Sequence, residues 1–226
     1  MSNGVGTSNT MDPSLRYISV RTQWGCQPIA NSIATVEDKE FLMAVGCRLS
    51  VYDEDQGVSG SRRVLYPGPE VESIISVDVS SDKKYIAACV RRFSERSKAT
   101  VLVYDMDTQR SYPKPPRAIK HSDGSSNSEF YFSAARFSQD SKYLACYSSR
   151  LHVGVVIYDW RVERHVSTII VKSFVTAVSF NPSNSTRLCT SGACGLFQFW
   201  HFTQKSTYSA PISGFTRNDV TYTCHA

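Results

Sequence analysis

The chain alternates between short apolar runs and polar turns, and one arrangement of them recurs along its length. It is clearest where Ala135 and Phe137 alternate with polar neighbours, before the polar turn 138–142. The apolar segments 143–147 and 153–159 follow, separated by a loop. Alternation of this kind is typical of β-strands, and serine and aspartate favour a turn because they hydrogen-bond nearby backbone groups. The pattern predicts a hairpin and, after a loop, a third strand.

Three further segments have the same order of strand, polar turn, strand and third strand. Their predicted strands are 31–36, 41–45 and 48–53; 75–79, 85–89 and 101–105; and 176–180, 187–190 and 196–200. Residues 38–42 could also form a short helix, although a helix of that length is marginal without support. Segments 17–20 and 220–224 are further strand candidates, and residues 1–15 are predicted to be a disordered tail because they are small, polar and aperiodic.

Both faces of the predicted strands are apolar. Val153, Val155 and Ile157 lie on one face of their strand, while Val156 and Tyr158 lie on the other. Both faces must therefore be covered. No convincing amphipathic helix is present to cover them, so other sheets must do so. The fold class predicted from the residues is all-β, with sheets stacked radially as blades.

The ends of the strands resemble the WD-repeat superfamily. Tyr-Asp pairs end three of the predicted third strands and Trp200-His201 lies at the end of the fourth, at the place of the Trp-Asp dipeptide of that family. Two of the three intervals between first-strand ends are 43 residues, within the period of about 40–45 residues of WD40 blades. The resemblance implies a WD40-like β-propeller over residues 16–226. We expect about four blades, near 16–69, 70–120, 129–172 and 173–226, in an incomplete, open propeller.

A narrower resemblance links three segments to a family of axonemal WD-repeat proteins. Residues 77–87, 137–145 and 178–192 resemble the N-terminal repeats of the cilia- and flagella-associated protein 57 family. That resemblance implies a non-enzymatic scaffold in the cytoplasm and cytoskeleton, in the axoneme of a cilium or flagellum. The implied partners are axonemal dynein, proteins of the doublet microtubules and, as a further candidate, tubulin. Family members carry a coiled coil after the repeats, and because this chain has no heptads we expect it to be an N-terminal fragment or a truncated product.

Six residues are predicted to have structural roles because their positions recur. A catalytic residue is usually singular, whereas a turn or packing residue recurs once per repeat, and aspartate readily satisfies the backbone groups of a turn. The aspartates lie at three strand ends and in two equivalent turns. The tryptophan lies in the third strand of the fourth repeat. The six residues are Asp53, Asp82, Asp105, Asp140, Asp159 and Trp200.

Function is expected in the segments that do not repeat. Residues 91–98 are basic and interrupt the second copy; they are interpreted as a solvated loop or, alternatively, as a surface for an acidic partner. The candidate partner-binding residues are Arg91, Arg92, Phe93, Arg96 and Lys98. Residues 111–129 contain three prolines, which exclude a central strand. They are predicted to form a long surface loop, with at most a short edge strand at its start.

The remaining patterns narrow the function classes. No phosphate loop, dinucleotide fingerprint or nucleophile elbow occurs, and the spacing of the seven cysteines does not match a zinc site, so we expect no enzyme, cofactor, metal or small-molecule substrate. The net charge of +5 is scattered, which disfavours nucleic acid. The sequence has no apolar run of about 18 residues, so we expect no membrane-spanning helix. We also expect no signal peptide. The alternatives are a cytosolic adaptor of an unrelated complex and a fragment of a propeller enzyme.

Overall fold

The structure, a computed structural model, describes residues 33–37, 39–53, 63–93, 98–111, 114–122, 130–148, 154–203 and 207–210. These residues form four antiparallel sheets of four strands each. The first sheet contains β1 (Ile33–Thr35), β2 (Glu40–Val45), β3 (Arg48–Asp53) and β4 (Arg63–Leu65). The second contains β5 (Val71–Val79), β6 (Tyr85–Arg92), β7 (Lys98–Asp105) and β8 (Arg117–Ser122).

The other two sheets have the same organisation. The third sheet contains β9 (Phe132–Phe137), β10 (Tyr143–Ser148), β11 (Val155–Asp159) and β12 (Arg164–Ile169). The fourth contains β13 (Val175–Asn181), β14 (Asn184–Gly192), β15 (Phe197–Phe202) and β16 (Thr207–Ala210). Two short helices, α1 (Met106–Ser111) and the 3₁₀ helix Trp160–Val162, connect the third and fourth strands of the second and third sheets.

Every sheet is a meander in which each strand pairs with the next one along the chain. The first strands of successive sheets are neighbours, because β1 contacts β5, β5 contacts β9 and β9 contacts β13. Sheets that meet at their first strands form a propeller-like arrangement. The prediction of an all-β fold is therefore confirmed.

The hydrophobic core consists of three layers, one between each pair of successive sheets. In β11, Val156 and Tyr158 pack between the second and third sheets, whereas Val155 and Ile157 pack between the third and fourth. In β6, Ile86 and Val90 pack toward the first sheet while alternate residues pack toward the third. The prediction that sheets cover both faces of these strands is confirmed, and it explains why the strands lack a polar side.

The predicted repeat of three strands was incomplete, because each sheet has a fourth strand. The structure also corrects the segment 111–129, which was predicted to be mainly loop: α1 ends within it and β8 follows the prolines. Prolines are tolerated there because β8 is the edge strand of its sheet and pairs only with β7. Fourth strands escape a search for apolar runs because they have one partner strand and carry charged residues, as at Arg117 and Lys120.

The connection between β6 and β7 is shorter than the predicted loop 91–98. Strand β6 continues through Arg92, and β7 begins at Lys98. Arg96 lies outside the described residues, as do the predicted N-terminal tail and the candidate strands at 17–20 and 220–224. Gly154 precedes β11, so the third strand of that repeat begins two residues later than the predicted Val153.

Antiparallel meanders place the connections at two opposite edges of the sheets. The turns between first and second strands lie at one edge, which we name the polar edge, together with the connections between third and fourth strands. The turns between second and third strands lie at the other edge, which we name the apolar edge, together with the connections from one sheet to the next. Contacts between neighbouring sheets align these edges: Ser81 Oγ donates to Gln139 Oε1 at 3.0 Å at the polar edge, and Tyr147 donates to the carbonyl oxygen of Thr176 at 3.1 Å at the other.

Candidate protein-interaction surface

The polar edge is built from turns that satisfy their own polar groups. In the turn between β5 and β6, Ser80 Oγ donates to Asp82 Oδ1 at 2.6 Å and accepts from the amide of Tyr85 at 2.9 Å. The amide of Lys84 donates to the same carboxylate oxygen at 3.3 Å. Lys83 has a φ of 60°, and its ammonium group reaches the carbonyl oxygen of Thr35 in the first sheet at 3.1 Å.

The next sheet repeats this turn almost atom for atom. Ser138 Oγ donates to Asp140 Oδ1 at 2.6 Å and accepts from the amide of Tyr143 at 2.8 Å, and Ser141 has a φ of 54°. Partial burial acts to raise the pKa of Asp140, but the hydrogen bonds from Ser138 and the Lys142 amide outweigh it and lower that pKa; Asp82 behaves likewise. Both aspartates thus have the turn-stabilising geometry expected of a recurring residue.

A partly buried ion pair connects two sheets just inside the polar edge. Arg136 Nη1 lies 2.8 Å from Asp78 Oδ1, and the amide of Phe137 donates to Asp78 Oδ2 at 2.9 Å. Desolvation by burial raises the pKa of Asp78, against the opposing effects of Arg136 and the Phe137 amide. Asp78 therefore fixes the end of β5 against the end of β9.

Three of the other predicted structural residues lie at strand ends, and the fourth, Trp200, lies within β15. Asp53, Asp105 and Asp159 are the last residues of β3, β7 and β11. Asp159 is 8% exposed and lies 3.4 Å from Arg164 Nη2. Trp200 packs against the core of the fourth sheet, and its indole nitrogen donates to Thr190 Oγ1 at 2.9 Å.

The apolar edge has a different composition. Among the described residues of this edge, five large hydrophobic side chains are between 37% and 72% exposed. They occupy the end of β2, the connections between sheets and the position directly after β6. They are Val45, Tyr66, Phe93, Ile170 and Phe174. At the described part of the polar edge, Val162 is the comparable exposed side chain; the other large exposed hydrophobics, Ile33, Val64 and Phe199, lie on strands.

Close backbone contacts fix the positions of two of these side chains. Gly154 has a φ of 60° and lies so close to the carbonyl group of Ile169 that an added Cβ would overlap its oxygen. Gly192 approaches the carbonyl group of Phe174 in the same way, and the amide of Ala193 donates to that oxygen at 3.0 Å. Glycine is required where backbones approach this closely, so the chain displays Ile170 and Phe174 on a rigid frame.

Arginines stand beside aromatic rings on the same edge. The guanidinium of Arg48 lies 5.3 Å from the ring centre of Tyr66, and that of Arg91 lies 5.0 Å from the ring centre of Tyr131. Arginine–aromatic pairs of this kind contribute about 0.5–1 kcal/mol at exposed sites. Mixed aromatic and arginine surfaces are typical of protein-binding sites.

The candidate partner-binding residues of the basic segment are divided by the structure. Phe93 is 61% exposed at the apolar edge. Arg92 is half-buried and forms an ion pair with Glu70 at 2.8 Å, while Arg91 is half-buried beside Tyr131. Lys98 is exposed as the first residue of β7. Among its described residues, the segment presents one large exposed apolar side chain and one arginine–aromatic pair.

The surface includes residues that the sequence pattern did not indicate. Tyr66, Ile170 and Phe174 lie in connections between sheets, where an isolated apolar residue is indistinguishable from a strand end. Their only sequence signal is position, since each lies in a segment that joins two repeats. That signal becomes usable only when the four-stranded sheets are known.

Buried titratable groups away from this surface serve the core. Burial raises the pKa of the Cys89 thiol to about 12 and that of Cys189 to about 11, and both are unpaired, as expected for cysteines in apolar strands. His121 is half-buried, with its Nδ1 atom 2.6 Å from the hydroxyl of Tyr158. This contact arises because His121 lies within β8 rather than in a loop.

Metal-binding clusters and membrane-spanning helices are both absent from the described residues. These residues contain no grouping of three or more histidine, cysteine, aspartate or glutamate side chains arranged to hold a metal ion. No helix among them has the length and apolar character needed to cross a membrane.

Comparison with known proteins gave no relative on which to base a function. No protein-family model matches the chain, and no curated protein is significantly similar to it.

Proposed function

We propose that the chain is a non-enzymatic protein-interaction scaffold that binds a partner protein through its apolar edge. The observation that carries the proposal is the concentration of five exposed large hydrophobics at this edge. Contiguous exposed apolar surface on a folded protein usually marks a binding site. Arginine and tyrosine, the residue types that dominate binding energies, are also present there.

The proposed architecture is an open, WD40-like propeller of about four blades. The adjacency of the first strands supports it. A recurring orientation supports it further: Tyr104, Tyr158 and Trp200 each pack toward the preceding sheet. Phe199, on the outward side of the fourth sheet, is 48% exposed. The equivalent strand positions of the second and third sheets are buried between two sheets. Size-exclusion chromatography tests the open arc, which predicts concentration-dependent association through exposed sheet surfaces; a stable monomer at all concentrations would contradict it.

We propose the axoneme of a cilium or flagellum as the setting. The support is the resemblance of three repeat segments to axonemal WD-repeat proteins. In this setting the partners are axonemal dynein, doublet-associated proteins or tubulin. The test is fractionation of flagella that contain the tagged chain, followed by salt extraction. Retention on the extracted axoneme is expected, and a wholly soluble cytosolic pool would contradict the setting and favour an adaptor of another complex.

Binding to salt-stripped axonemes tests the proposed surface. The purified chain is expected to sediment with them. Combining Tyr66→Ser, Phe93→Ser, Ile170→Ser and Phe174→Ser should abolish sedimentation, because these changes remove most of the exposed apolar contact area. The matched control, Lys39→Gln with Arg187→Gln, changes exposed residues away from the apolar edge and should sediment like the unaltered chain. Equal sedimentation of all three proteins would reject the apolar edge as the binding surface.

A further inference from the structure

A groove lies at the polar edge, between the second and third sheets, with a volume of about 440 Å³. Its walls come from the connections between the third and fourth strands of these two sheets. One wall is formed by α1 and the proline-containing connection to β8, and the other by the 3₁₀ helix Trp160–Val162.

The base of the groove is a pair of packed aromatic rings. Tyr85 and Trp160 meet edge to face with ring centres 4.6 Å apart. Trp160 is 5% exposed, and its indole nitrogen donates to the carbonyl oxygen of Ser141 at 2.8 Å. Pro115 adds an exposed apolar ring at the opposite wall. The base is therefore rigid and can receive an apolar side chain.

Three cations and one carboxylate line the groove. Arg161 lies over the aromatic base, with its guanidinium 5.6 Å from the ring centre of Tyr85 and 5.5 Å from that of Trp160. Lys114 and Arg117 are the other cations, and Asp105 is the carboxylate. The lining thus has an excess of positive charge, in a chain whose net charge is +5. Such an excess attracts acidic partners and accelerates their encounter.

The arginines keep hydrogen-bonding capacity for a ligand. A guanidinium that stacks on an aromatic ring retains its N–H donors in its own plane, and Arg161 donates no side-chain hydrogen bond to the described residues. Arg117 donates to the carbonyl oxygen of Arg161, and its Nε atom lies 3.8 Å from Glu163. Both partners of this ion pair are about half exposed, so exchanging Glu163 for another carboxylate costs little, because exposed ion pairs contribute little to stability.

We propose that this groove binds an extended acidic segment of a partner protein. Carboxylates of the segment pair with Arg161, Arg117 and Lys114, and an apolar side chain packs on Tyr85 and Trp160. A peptide fits better than a small molecule because small-molecule sites are mostly apolar and enclosed, whereas Lys114, Pro115 and Arg161 are exposed. This surface is additional to the apolar edge of the proposed scaffold, so either can fail without the other.

The test is fluorescence anisotropy of a labelled peptide of alternating glutamate and leucine, titrated with the full chain. The same peptide with glutamine in place of glutamate should bind about tenfold more weakly, and added salt should weaken binding of the acidic peptide. Combining Arg161→Gln with Lys114→Gln should reduce its affinity about tenfold. The control Lys39→Gln with Arg187→Gln removes the same charge elsewhere and should bind normally.

Three results would overturn the proposal. They are equal binding of the glutamate and glutamine peptides, equal loss in the groove and control variants, and no saturable binding by a chain whose circular dichroism shows it to be folded. The quadruple apolar-edge variant separates the two proposals. It should bind the acidic peptide like the unaltered chain even when it no longer sediments with axonemes.

Discussion

The two edges of the sheets differ in how they treat their polar and apolar groups. At the polar edge, Ser80 and Ser138 satisfy the turns of two sheets with the same set of hydrogen bonds. At the apolar edge, Phe93, Ile170 and Phe174 expose half or more of their surface. A recurring turn whose polar groups are hydrogen-bonded within the turn stabilises the fold. Hydrophobic side chains that the fold leaves exposed are available to contact a partner, so the two edges have different roles, one in stability and one in binding.

The largest expected effect on the free energy of unfolding tests whether the close contact between Gly154 and Ile169 holds the backbone of the apolar edge in place. Gly154→Ala would force a Cβ against the carbonyl oxygen of Ile169 and place alanine at a φ of 60°. We expect unfolding free energy to fall by about 3 kcal/mol, since left-handed backbone strain and a core clash combine. Urea denaturation measures the change. Ala193→Gly provides a control in the same edge without a clash, and an equal loss in both variants would show that the frame is not set by this contact.

A slightly smaller effect tests the ion pair inside the polar edge. Asp78→Ala leaves the guanidinium of Arg136 without its carboxylate between two sheets. Loss of one partner from a fully buried pair costs about 3–5 kcal/mol. Arg136 retains 31% exposure, so we expect about 2–3 kcal/mol, measured by urea denaturation. A loss as small as that of an exposed ion pair would show that the polar edge does not depend on this contact.

The pH dependence of stability should separate two aspartates of the polar edge. The pKa of Asp140 is lowered, so its stabilising contribution is present above the ordinary aspartate pKa and is lost as pH falls through the lowered value. The pKa of Asp78 is raised, so its contribution is complete below the ordinary pKa and is lost as pH rises through the raised value. Relative to the unaltered chain, Asp140→Asn should therefore be most destabilising near neutral pH, with the difference shrinking below about pH 4.

Asp78→Asn supplies the opposite slope in the same experiment. Its difference in unfolding free energy from the unaltered chain should become more favourable to the variant as pH rises above about 4. Denaturant titrations at a series of pH values measure both variants. Parallel slopes for the two variants would contradict the assignment of one aspartate to a hydrogen-bonded turn and the other to a desolvated pair.

The smallest expected effect on stability belongs to the apolar edge. Tyr66→Ser, Phe93→Ser, Ile170→Ser and Phe174→Ser change side chains that are largely exposed. Each should alter the unfolding free energy by about 0.5 kcal/mol or less, as is usual for surface substitutions. Thermal unfolding followed by circular dichroism measures the changes. A loss of several kcal/mol from any one would mean that this side chain belongs to the core and not to a binding surface.

The sequence predicted the strands where the signal is local. Alternation in β5, β9 and β13 and the turn residues Asp82 and Asp140 are local signals, so they can be read without a structure. The segment that contains β8 was predicted as loop with at most a short edge strand, because an edge strand needs only one apolar side and can follow prolines. The apolar edge could not be predicted, because Tyr66, Ile170 and Phe174 become one surface only when separate sheets are packed together.

The sequence also could not show that neighbouring charges have different roles. Arg91, Arg92 and Phe93 are consecutive, yet Arg92 pairs with Glu70 while Phe93 is exposed. Their partners come from segments more than twenty residues away. A charged run is read as one feature in a sequence, but the alternation of a strand divides it.

Hydrogen–deuterium exchange on the chain, alone and in complex with a partner captured from salt-extracted axonemes, distinguishes binding at the two edges. We expect binding to slow exchange in peptides covering 45–48, 66–71, 91–93 and 170–175, while the turns 80–84 and 138–142 exchange as in the free chain. Slower exchange confined to those turns, with the apolar edge unchanged, would contradict this expectation.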